Sequence, residues 1–354
     1  MNRYYFSIIQ LSLICFFTSQ LHAASVPLLQ SGAKRVSVTA QKKQAKQKTI
    51  AKKKTTVLKR NTRKKNKDFV ALGSKKGFIK KVKEKVASHS MCVSANDDIV
   101  KQITSKSVMI LDARTGKPIF AKAPDKPRQP ASTIKVLTGI IAIKRLKDSE
   151  KVEVSSHAAT MPRSKIYLNP RKQYKADDLI NAVLLASAND ASVALAEKIA
   201  GTEEDFASLM TLHARLLGAE NTVCRTASGL TAQGQQTTAR DLAEIFRHAM
   251  QNKEFAERMK QTKASTSYGK LLRNHNKALW QVDGAMGGKT GYTSLARQTY
   301  VGQFKRGDDA IVLAIMGSET MWRDIRRLVD YGFEKKEELR LAQLAQKNKS
   351  SEFR

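Results

Sequence analysis

The charge of this chain is distributed very unevenly along its length. The 354 residues carry a formal net charge of +33. Residues 34–85 alone hold 21 basic and only 2 acidic side chains, whereas the rest of the chain holds 43 basic and 29 acidic ones. The ratio of basic to acidic residues outside 34–85 is ordinary for a soluble domain, so the sequence excludes a uniformly basic protein that coats DNA. Any domain with a sizeable core must therefore follow the basic segment.

The first 23 residues have the pattern of a secretory signal peptide. Arg3 supplies a positive charge, an apolar run extends from Phe6 to Phe17, and Ala23 and Ala24 are small residues suited to cleavage. The alternative is a retained membrane anchor, which needs roughly 20 mostly apolar residues, but polar side chains interrupt this run. The sequence therefore predicts export to the periplasm or to the outer face of the cytoplasmic membrane.

Residues 24–95 form a basic, low-complexity arm. Lys, Gln, Thr, Ala and Ser dominate this segment, and its small apolar surface does not offset the entropy lost on ordering, which predicts a mostly disordered arm. Two roles fit this composition. Either the charged stretch 34–85 binds anionic envelope polymers or lipid headgroups, or the arm is a solvated spacer. Nucleic acid is not expected as a partner outside the cytoplasm.

Residues 96–340 carry the pattern of one α+β domain, followed by a charged tail over 341–354. Apolar strands are predicted over 107–112 and 118–121 and again over 299–304 and 310–316. Between them the apolar spacing predicts helices, and a further helix is expected near the end of the domain; these helices cover 134–146, 176–186, 190–199, 203–217 and 320–329. This order predicts an antiparallel sheet built from both ends of the domain, with an inserted helical subdomain.

The first chemical motif is Ser132-Thr133-Ile134-Lys135 at the start of an apolar helix. A serine there is often only a helix cap. However, the three-residue spacing places Lys135 one turn above the Ser132 hydroxyl on the same helix face. A lysine kept neutral by burial or by a second cation could take the hydroxyl proton and create a nucleophile.

Two further motifs strengthen the interpretation of Ser132 as a nucleophile. Ser187-Ala188-Asn189 lies in a short link between two predicted helices, 55 residues after Ser132, and Lys289-Thr290-Gly291 opens a predicted strand 102 residues later. A serine and an amide can relay a proton and hold a substrate carbonyl. A lysine and a threonine can bind a carboxylate, and Gly291 leaves room for substrate to lie along the strand. All three motifs in this order are far more specific than any one of them.

From Ser107 to Phe333 the sequence resembles the low-molecular-mass penicillin-binding proteins, in particular the D-alanyl-D-alanine carboxypeptidases and related endopeptidases. The stretches Ala227-Ser228-Gly229-Leu230 and Gly288-Lys289-Thr290-Gly291-Tyr292-Thr293 carry the likeness as well as the three motifs. The resemblance implies a β-lactamase/transpeptidase-like fold over 96–340, peptidoglycan stem peptides as substrates and β-lactams as inhibitors.

The resemblance also implies a role for each candidate site residue. Catalysis would involve Ser132 as the acylated nucleophile, Lys135 as its general base and Ser187 as a proton relay, while the substrate would be bound by Asn189, Lys289, Thr290, Gly291, Tyr292 and Arg323. The backbone amides of Ser132 and Tyr292 would form the oxyanion hole.

Two departures from the family pattern affect these expectations. Arg297 follows Ala296 where the family commonly has glycine, and Thr226 replaces an asparagine three residues before Gly229. About 20 residues follow Phe333, so neither a second β domain nor an amphipathic anchor is expected, which favours the endopeptidase-like branch.

Three alternatives to a carboxypeptidase remain: a D,D-endopeptidase, a class A-like β-lactamase and a catalytically idle wall-binding protein. A β-lactamase needs a glutamate in a Glu-x-x-Leu-Asn loop after the Ser-x-Asn motif. The Leu168-Asn169 pair of this chain comes before Ser187 and has Lys165 at the glutamate position. The sequence therefore predicts that penicillins inhibit the protein and are not destroyed by it.

No cofactor is expected. The six histidines show no paired spacing typical of metal ligands, so the sequence predicts a metal-free serine mechanism. Once the signal peptide is removed, Cys92 and Cys224 remain. In an oxidising compartment a disulfide and two free thiols are both compatible with the sequence.

Overall fold

The structure is a computed structural model that describes residues 98–352, with side chains described as far as residue 342. The predicted signal peptide, the basic arm and Cys92 lie outside the described residues. What the sequence predicts for those segments therefore stays a prediction.

Within residues 98–352, the long strands lie toward the two ends of the chain and most of the helices lie between them. The helices are α1 Ile99–Gln102, α2 Lys135–Arg145, α3 Ser156–Thr160, α4 Ala176–Leu184, α5 Asn189–Ala200, α6 Glu203–Leu216, α7 Ala239–Ala249, α8 Lys253–Lys260, α9 Ala278–Gln281 and α10 Met321–Glu352. The strands are β1 Ser107–Asp112, β2 Pro118–Lys122, β3 Lys151–Val152, β4 Tyr174–Lys175, β5 Lys263–Ser265, β6 Leu271–Arg273, β7 Ala285–Thr293, β8 Arg297–Arg306 and β9 Asp309–Ser318.

The main sheet joins the two ends of the domain. Its strand order is β2-β1-β9-β8-β7, and all of its pairs are antiparallel. The early strand β1 pairs with the late strand β9, with Met109 opposite Ala314. This arrangement confirms the predicted α+β fold with an antiparallel sheet built from both ends. It also leaves β7, which carries Lys289-Thr290-Gly291, at one edge of the sheet.

Both faces of the sheet are covered, because successive residues of a strand point to opposite faces. One face packs against α10 and the other against the inserted helices. The α10 face contributes Val108, Ile110, Tyr300, Phe304 and Leu313. The helical face contributes Met109, Leu111, Val301, Val312 and Ala314. The central strands β1 and β9 are therefore apolar almost without interruption, which is why they could be recognised from the sequence.

The inserted helices have the bounds expected from their start and stop signals. Thr202 caps α6 by accepting a hydrogen bond from the Asp205 amide, and Gly201 ends α5 with a φ of 86°. The predicted helices over 176–186, 190–199 and 203–217 are confirmed as α4, α5 and α6. Their packing places the link that contains Ser187 beside α2.

The last helix is much longer than the sequence predicts. The apolar pattern indicated a helix over 320–329, but α10 continues to Glu352. Beyond the core, intrahelical pairs such as Lys335–Glu338 and Arg340–Glu337 support the helix. Apolar periodicity does not detect such a charged extension. Within residues 98–352, no helix is long and apolar enough to cross a bilayer.

Candidate active site

Ser132 lies on a tight 3-10 turn, Ala131–Ile134, that leads into α2. Ala131 has a φ of 50°, a conformation that costs energy for a residue with a side chain. Two contacts hold the turn: Thr299 Oγ1 donates to the Pro130 carbonyl at 3.0 Å, and Gly229 packs so closely that a Cβ there would lie 2.0 Å from the Ala131 carbonyl oxygen. The Ser132 side chain caps neither the turn nor α2, so its hydroxyl remains free to react.

Lys135 is fully buried and points at Ser132. Its Nζ lies 3.0 Å from Ser132 Oγ, 2.7 Å from Asn189 Oδ1 and 2.5 Å from the Ser228 carbonyl oxygen. Burial, followed by the nearby charge of Lys289, lowers the pKa of Lys135 well below its ordinary value. The site therefore favours the neutral amine, which is the form that accepts a proton.

The partners of Lys135 determine where its lone pair points when it is neutral. The Asn189 Oδ1 atom and the Ser228 carbonyl only accept hydrogen bonds, so both must be met by N–H groups of Lys135. Of the three partners, only the Ser132 hydroxyl can donate. The hydrogen-bond pattern thus directs the lone pair of Lys135 at the proton that must be removed from Ser132.

Asn189 is the residue that fixes this pattern. Its Nδ2 donates to the Pro162 carbonyl at 2.9 Å, and its backbone amide donates to the Ser164 carbonyl at 2.7 Å. These contacts turn Oδ1 toward Lys135. Both ends of the side-chain amide are thus engaged within the protein, and direct binding of substrate by Asn189 stays a prediction.

Ser187 and Lys289 form the second half of the site. Ser187 has a φ of 58°, and this strained link aims its hydroxyl at β7, where Lys289 Nζ donates to Ser187 Oγ at 2.8 Å. Lys289 is only 1% exposed, and burial lowers its pKa to about 7. A carboxylate bound next to it would favour the charged form again and be stabilised in return.

The edge strand β7 lies directly against the nucleophile. A Cβ on Gly291 would lie 2.8 Å from the Ser132 backbone nitrogen and 2.5 Å from Thr299 Oγ1, so only glycine allows this approach. Thr290 is half-buried and Tyr292 is 60% exposed at the end of the strand. The structure thus brings Ser132, Lys135, Ser187, Asn189 and the Lys289–Tyr292 segment together, as the motifs predict.

Arg323, the remaining predicted site residue, lies near the start of α10. It is exposed on α10, and its side chain makes no hydrogen bond or ion pair with any residue between 98 and 342. Arg297, at the start of β8, forms an exposed ion pair with Glu319 and is paired in register with Thr293. It has a φ of 57°, the left-handed conformation that explains the family's glycine at this position. A carboxylate-binding role for Arg323 stays a prediction.

Sequence reasoning missed two parts of the site. The first is the Ser228 carbonyl, which accepts a hydrogen bond from Lys135. It lies in a turn that is closed by the Gly229 amide, which donates to Thr226 Oγ1 at 3.0 Å. Thr226, which replaces the family's asparagine, therefore closes this turn. The other part is His275, whose backbone amide donates to the Leu185 carbonyl. Burial, with the charges of Lys289 and Lys135, lowers the pKa of His275 to about 4, which keeps it neutral beside the two lysines. A lone histidine in a loop carries no sequence signal for such a position.

Comparison with known proteins identifies the family. Residues 91–320 match the D-alanyl-D-alanine carboxypeptidase family, peptidase S11. The chain belongs to this family. Among its relatives, D-alanyl-D-alanine carboxypeptidase DacB2 of Mycobacterium tuberculosis is 35% identical over 237 residues, which cover 64% of this chain and 81% of the relative. DacF of Bacillus subtilis is 31% identical over 247 residues, which cover 65% and 62% respectively. This chain thus spans less than two thirds of the length of DacF.

Solved structures of similar proteins have the same fold. The D-alanyl-D-alanine carboxypeptidase from Mycobacterium tuberculosis H37Rv superimposes with a TM-score of 0.63 at 31% identity, covering 69% of this chain and 95% of that one. A variant of the Streptomyces K15 DD-transpeptidase gives a TM-score of 0.60 at 25% identity, covering 66% and 98%. The chain therefore shares its fold with these proteins.

Proposed function

We propose that this protein is a serine D-alanyl-D-alanine carboxypeptidase that acts on peptidoglycan stem peptides through an acyl-enzyme. The observation that carries the proposal is the buried Lys135, whose lone pair is directed at the Ser132 hydroxyl by two acceptor-only partners. Membership of the peptidase S11 family supports it. The names of the relatives specify D-alanyl-D-alanine carboxypeptidases.

Acylation begins with transfer of the Ser132 hydroxyl proton to neutral Lys135. The Ser132 oxygen attacks the carbonyl before the terminal D-alanine, and the oxyanion is bound by the backbone amides of Ser132 and Tyr292. The close approach of Gly291 to the Ser132 nitrogen supports this geometry. The substrate peptide lies along the free edge of β7 as an added strand.

The leaving group departs on the side of Ser187 and Lys289. Lys289 and Thr290 bind the terminal carboxylate, and its negative charge keeps Lys289 protonated. The proton held by Lys135 returns through the Ser187 hydroxyl to the leaving nitrogen as the carbon–nitrogen bond breaks. Water then hydrolyses the Ser132 ester and restores the enzyme.

Penicillins should acylate Ser132 and remain attached. In the described part of the chain, the only side chain that hydrogen-bonds Ser132 Oγ is Lys135. The Leu168-Asn169 pair precedes Ser187, unlike the glutamate loop of a class A β-lactamase, and the residue at the glutamate offset is Lys165, whose Nζ donates to the Ala159 carbonyl. This supports slow hydrolysis of the acyl-enzyme, and hence inhibition by penicillins.

The remaining segments would serve delivery to the cell wall. We assign 1–23 to a signal peptide, 24–95 to a basic arm and 96–340 to the catalytic domain, in an exported protein of the periplasm or the outer face of the cytoplasmic membrane. The test is sedimentation of the full chain with purified wall fragments across a salt series. Binding that falls with salt and is lost when residues 34–85 are deleted supports an electrostatic arm, and equal binding of both proteins identifies a spacer.

Release of D-alanine tests the proposed activity. The full chain should release D-alanine from a pentapeptide stem, and Ser132→Ala should abolish the release. Ser31→Ala is a matched control, because Ser31 also precedes a lysine by three residues but lies in the basic arm. Failure of the unmodified chain to release D-alanine, with no reaction toward penicillin, would refute the proposed function.

A further inference from the structure

A cationic cavity lies next to the Ser187 link. Its volume is about 360 Å³, and it is lined by the 163–167 loop, by Ala186 and by the β5–β6 hairpin region. Three cations surround the Tyr167 ring, which is 57% exposed. Arg163 Cζ, Lys165 Nζ and Lys270 Nζ lie 6.0, 5.4 and 5.5 Å from its centroid. The electron-rich ring face attracts each cation, but their mutual repulsion remains.

A second cavity of about 490 Å³ borders two of the same residues. The two share Arg273 and His275, and the second adds Lys263, Lys277 and Trp280 to its lining. Lys263 and Arg273 stand directly opposite each other on β5 and β6, an arrangement that is destabilising for like charges. Trp280 is 55% exposed beside them.

The two cavities form what we call the basic trough, defined by the cations Arg163, Lys165, Lys263, Lys270, Arg273 and Lys277. No Asp or Glu lines either cavity. None of the six cations forms an ion pair with a carboxylate in the part of the chain that the structure describes. So much uncompensated charge in one concave surface is unfavourable without an anionic ligand.

Two buried carboxylates, those of Asp190 and Asp178, accept hydrogen bonds from the segments that line the trough. Asp190 is buried and accepts the backbone amides of Ile166 and Leu168. Asp178 accepts the amide and the hydroxyl of Ser267, ahead of the β6 strand. Both contacts anchor the loops that carry the cations. The fold thus holds the loops that carry these cations in place, and neither carboxylate forms an ion pair with them.

The position of the trough indicates which part of a substrate it meets. Ala186 directly precedes Ser187, and His275 lies close enough to Lys289 and Lys135 for their charges to lower its pKa. The trough therefore adjoins the Ser187–Lys289 side of the site, where the leaving group departs in the proposed function. In the proposed function a single D-alanine would end at Lys289, whereas a longer leaving group would reach the trough.

We propose that the basic trough binds the carboxylates of a peptide that lies beyond the scissile bond, as in a cross-linked pair of stem peptides. This inference rests on the proposed function, because it extends the substrate of the same site. In the reaction, the carbon–nitrogen bond of the cross-link breaks and the acyl part remains on Ser132. The neighbouring peptide takes up a proton on its amine and leaves through the trough.

Carboxylate-bearing peptide fits the trough better than a phosphodiester polymer does. The cations are spread over two cavities that share Arg273 and His275, and the first of these cavities is lined by Ala186, next to Ser187. Exposed aromatic rings, Tyr167 and Trp280, lie among them and offer apolar contact to peptide groups. A trough that prefers phosphate should lose its ligand to polyphosphate, whereas one that prefers carboxylates should lose it to poly-glutamate. A competition experiment therefore distinguishes the two ligands.

The test measures binding and cleavage of a cross-linked muropeptide dimer and of a pentapeptide monomer by the full chain. Lys165→Glu with Arg273→Glu reverses two charges in the trough. Arg114→Glu with Lys117→Glu makes the same change in net charge at exposed positions of the β1–β2 turn, at the opposite edge of the sheet. Binding is measured in a Ser132→Ala background, which prevents cleavage.

We expect the trough variant to weaken binding of the dimer by roughly tenfold, since two charge–charge attractions become repulsions. The ratio of dimer to monomer cleavage should fall to the same extent. The Arg114/Lys117 variant should leave both quantities near those of the unmodified chain, and added salt should weaken dimer binding.

Three results would overturn the inference. They are dimer binding that is unaffected by the trough variant, an equal loss in the Arg114/Lys117 variant, and displacement of the dimer by polyphosphate at lower concentration than by poly-glutamate. The proposed function fails separately, if the unmodified chain neither cleaves the monomer nor reacts with penicillin. Binding in the Ser132→Ala background still tests the trough in that case.

Discussion

The approach of β7 to the nucleophile predicts a large effect from a single methyl group. In Gly291→Ala, the new Cβ would lie 2.8 Å from the Ser132 nitrogen and 3.0 Å from Ala131 Cβ, whereas ordinary van der Waals contact starts at 3.4 Å. The backbone conformation of Gly291 is not left-handed, so alanine suffers from lack of space and not from backbone strain. Either β7 or the 131–134 turn must move.

The required movement sets the magnitude of the effect. Relieving the contact with the Ser132 nitrogen takes about 0.6 Å, and a misplacement of about 1 Å in an active site costs roughly 100-fold in rate. We therefore expect the acylation rate constant to fall by between about 10-fold and 100-fold. Overpacking of this kind costs about 1–3 kcal/mol of stability, so the protein should still fold.

The assay is the second-order rate of acylation by a chromogenic β-lactam, with thermal unfolding measured in parallel. Gly332→Ala is the matched control, because its Cβ would lie 2.9 Å from Ile311 Cδ1 in the core beneath α10, far along the chain from the site motifs. It should alter stability but not acylation. A Gly291→Ala protein that acylates within about twofold of the unmodified chain would refute a β7 strand held against Ser132.

Three further predictions follow from buried charges. Lys135→Arg replaces the neutral amine with a guanidinium, which stays protonated and supplies no proton acceptor. Acylation should therefore fall about 1000-fold in the β-lactam assay, and a loss below tenfold would contradict the assignment of Lys135 as the base. Burial and then the charge of Lys289 lower the pKa of Lys135. Lys289→Gln should therefore raise the pKa of Lys135 and move the acidic limb of the acylation pH profile to higher pH. An acidic limb that stays in place or moves to lower pH would contradict this effect of Lys289 on Lys135. Burial opposes ionisation of Asp324, but hydrogen bonds from Ser105, Thr104 and Ser318 outweigh it and lower the pKa, so Asp324→Asn should cost about 3 kcal/mol at neutral pH. That cost should shrink as the pH falls through the Asp324 pKa. Urea unfolding at neutral and acid pH measures it, and a cost that stays the same at acid pH would contradict this role of Asp324.

Much of the fold could be predicted because its elements carry local signals. The strands β1 and β9 are nearly continuous apolar runs, since both faces of the sheet are covered. The helices α4, α5 and α6 have apolar faces, and Gly201 and the capping Thr202 mark where α5 ends and α6 begins. The far end of α10 escaped prediction because charged pairs, and not apolar periodicity, extend it.

The site could be predicted only as far as its side chains form motifs. The spacing of Ser132 and Lys135 indicated a nucleophile and a base. It did not indicate the Ser228 carbonyl, because a backbone group has no sequence signature and reaches Lys135 through tertiary packing. The left-handed conformation of Ser187 was equally invisible, because the surrounding fold imposes it.

The basic trough shows the same limit. Its cations come from segments about 100 residues apart, and neither the 163–167 loop nor the β5–β6 hairpin stands out in a chain with 64 Lys and Arg residues. Only their position around shared cavities distinguishes them from solvated surface charges.

The most direct test of the central claim is a covalent one. The full chain is incubated with a fluorescent penicillin, and the product is examined by intact mass and by peptide mapping. The structure predicts one stable adduct per chain, located on Ser132, that persists in Ser31→Ala and is absent from Ser132→Ala. No adduct on the unmodified chain, an adduct that survives in Ser132→Ala, or rapid hydrolysis of the penicillin would contradict a penicillin-sensitive acyl-enzyme at this site.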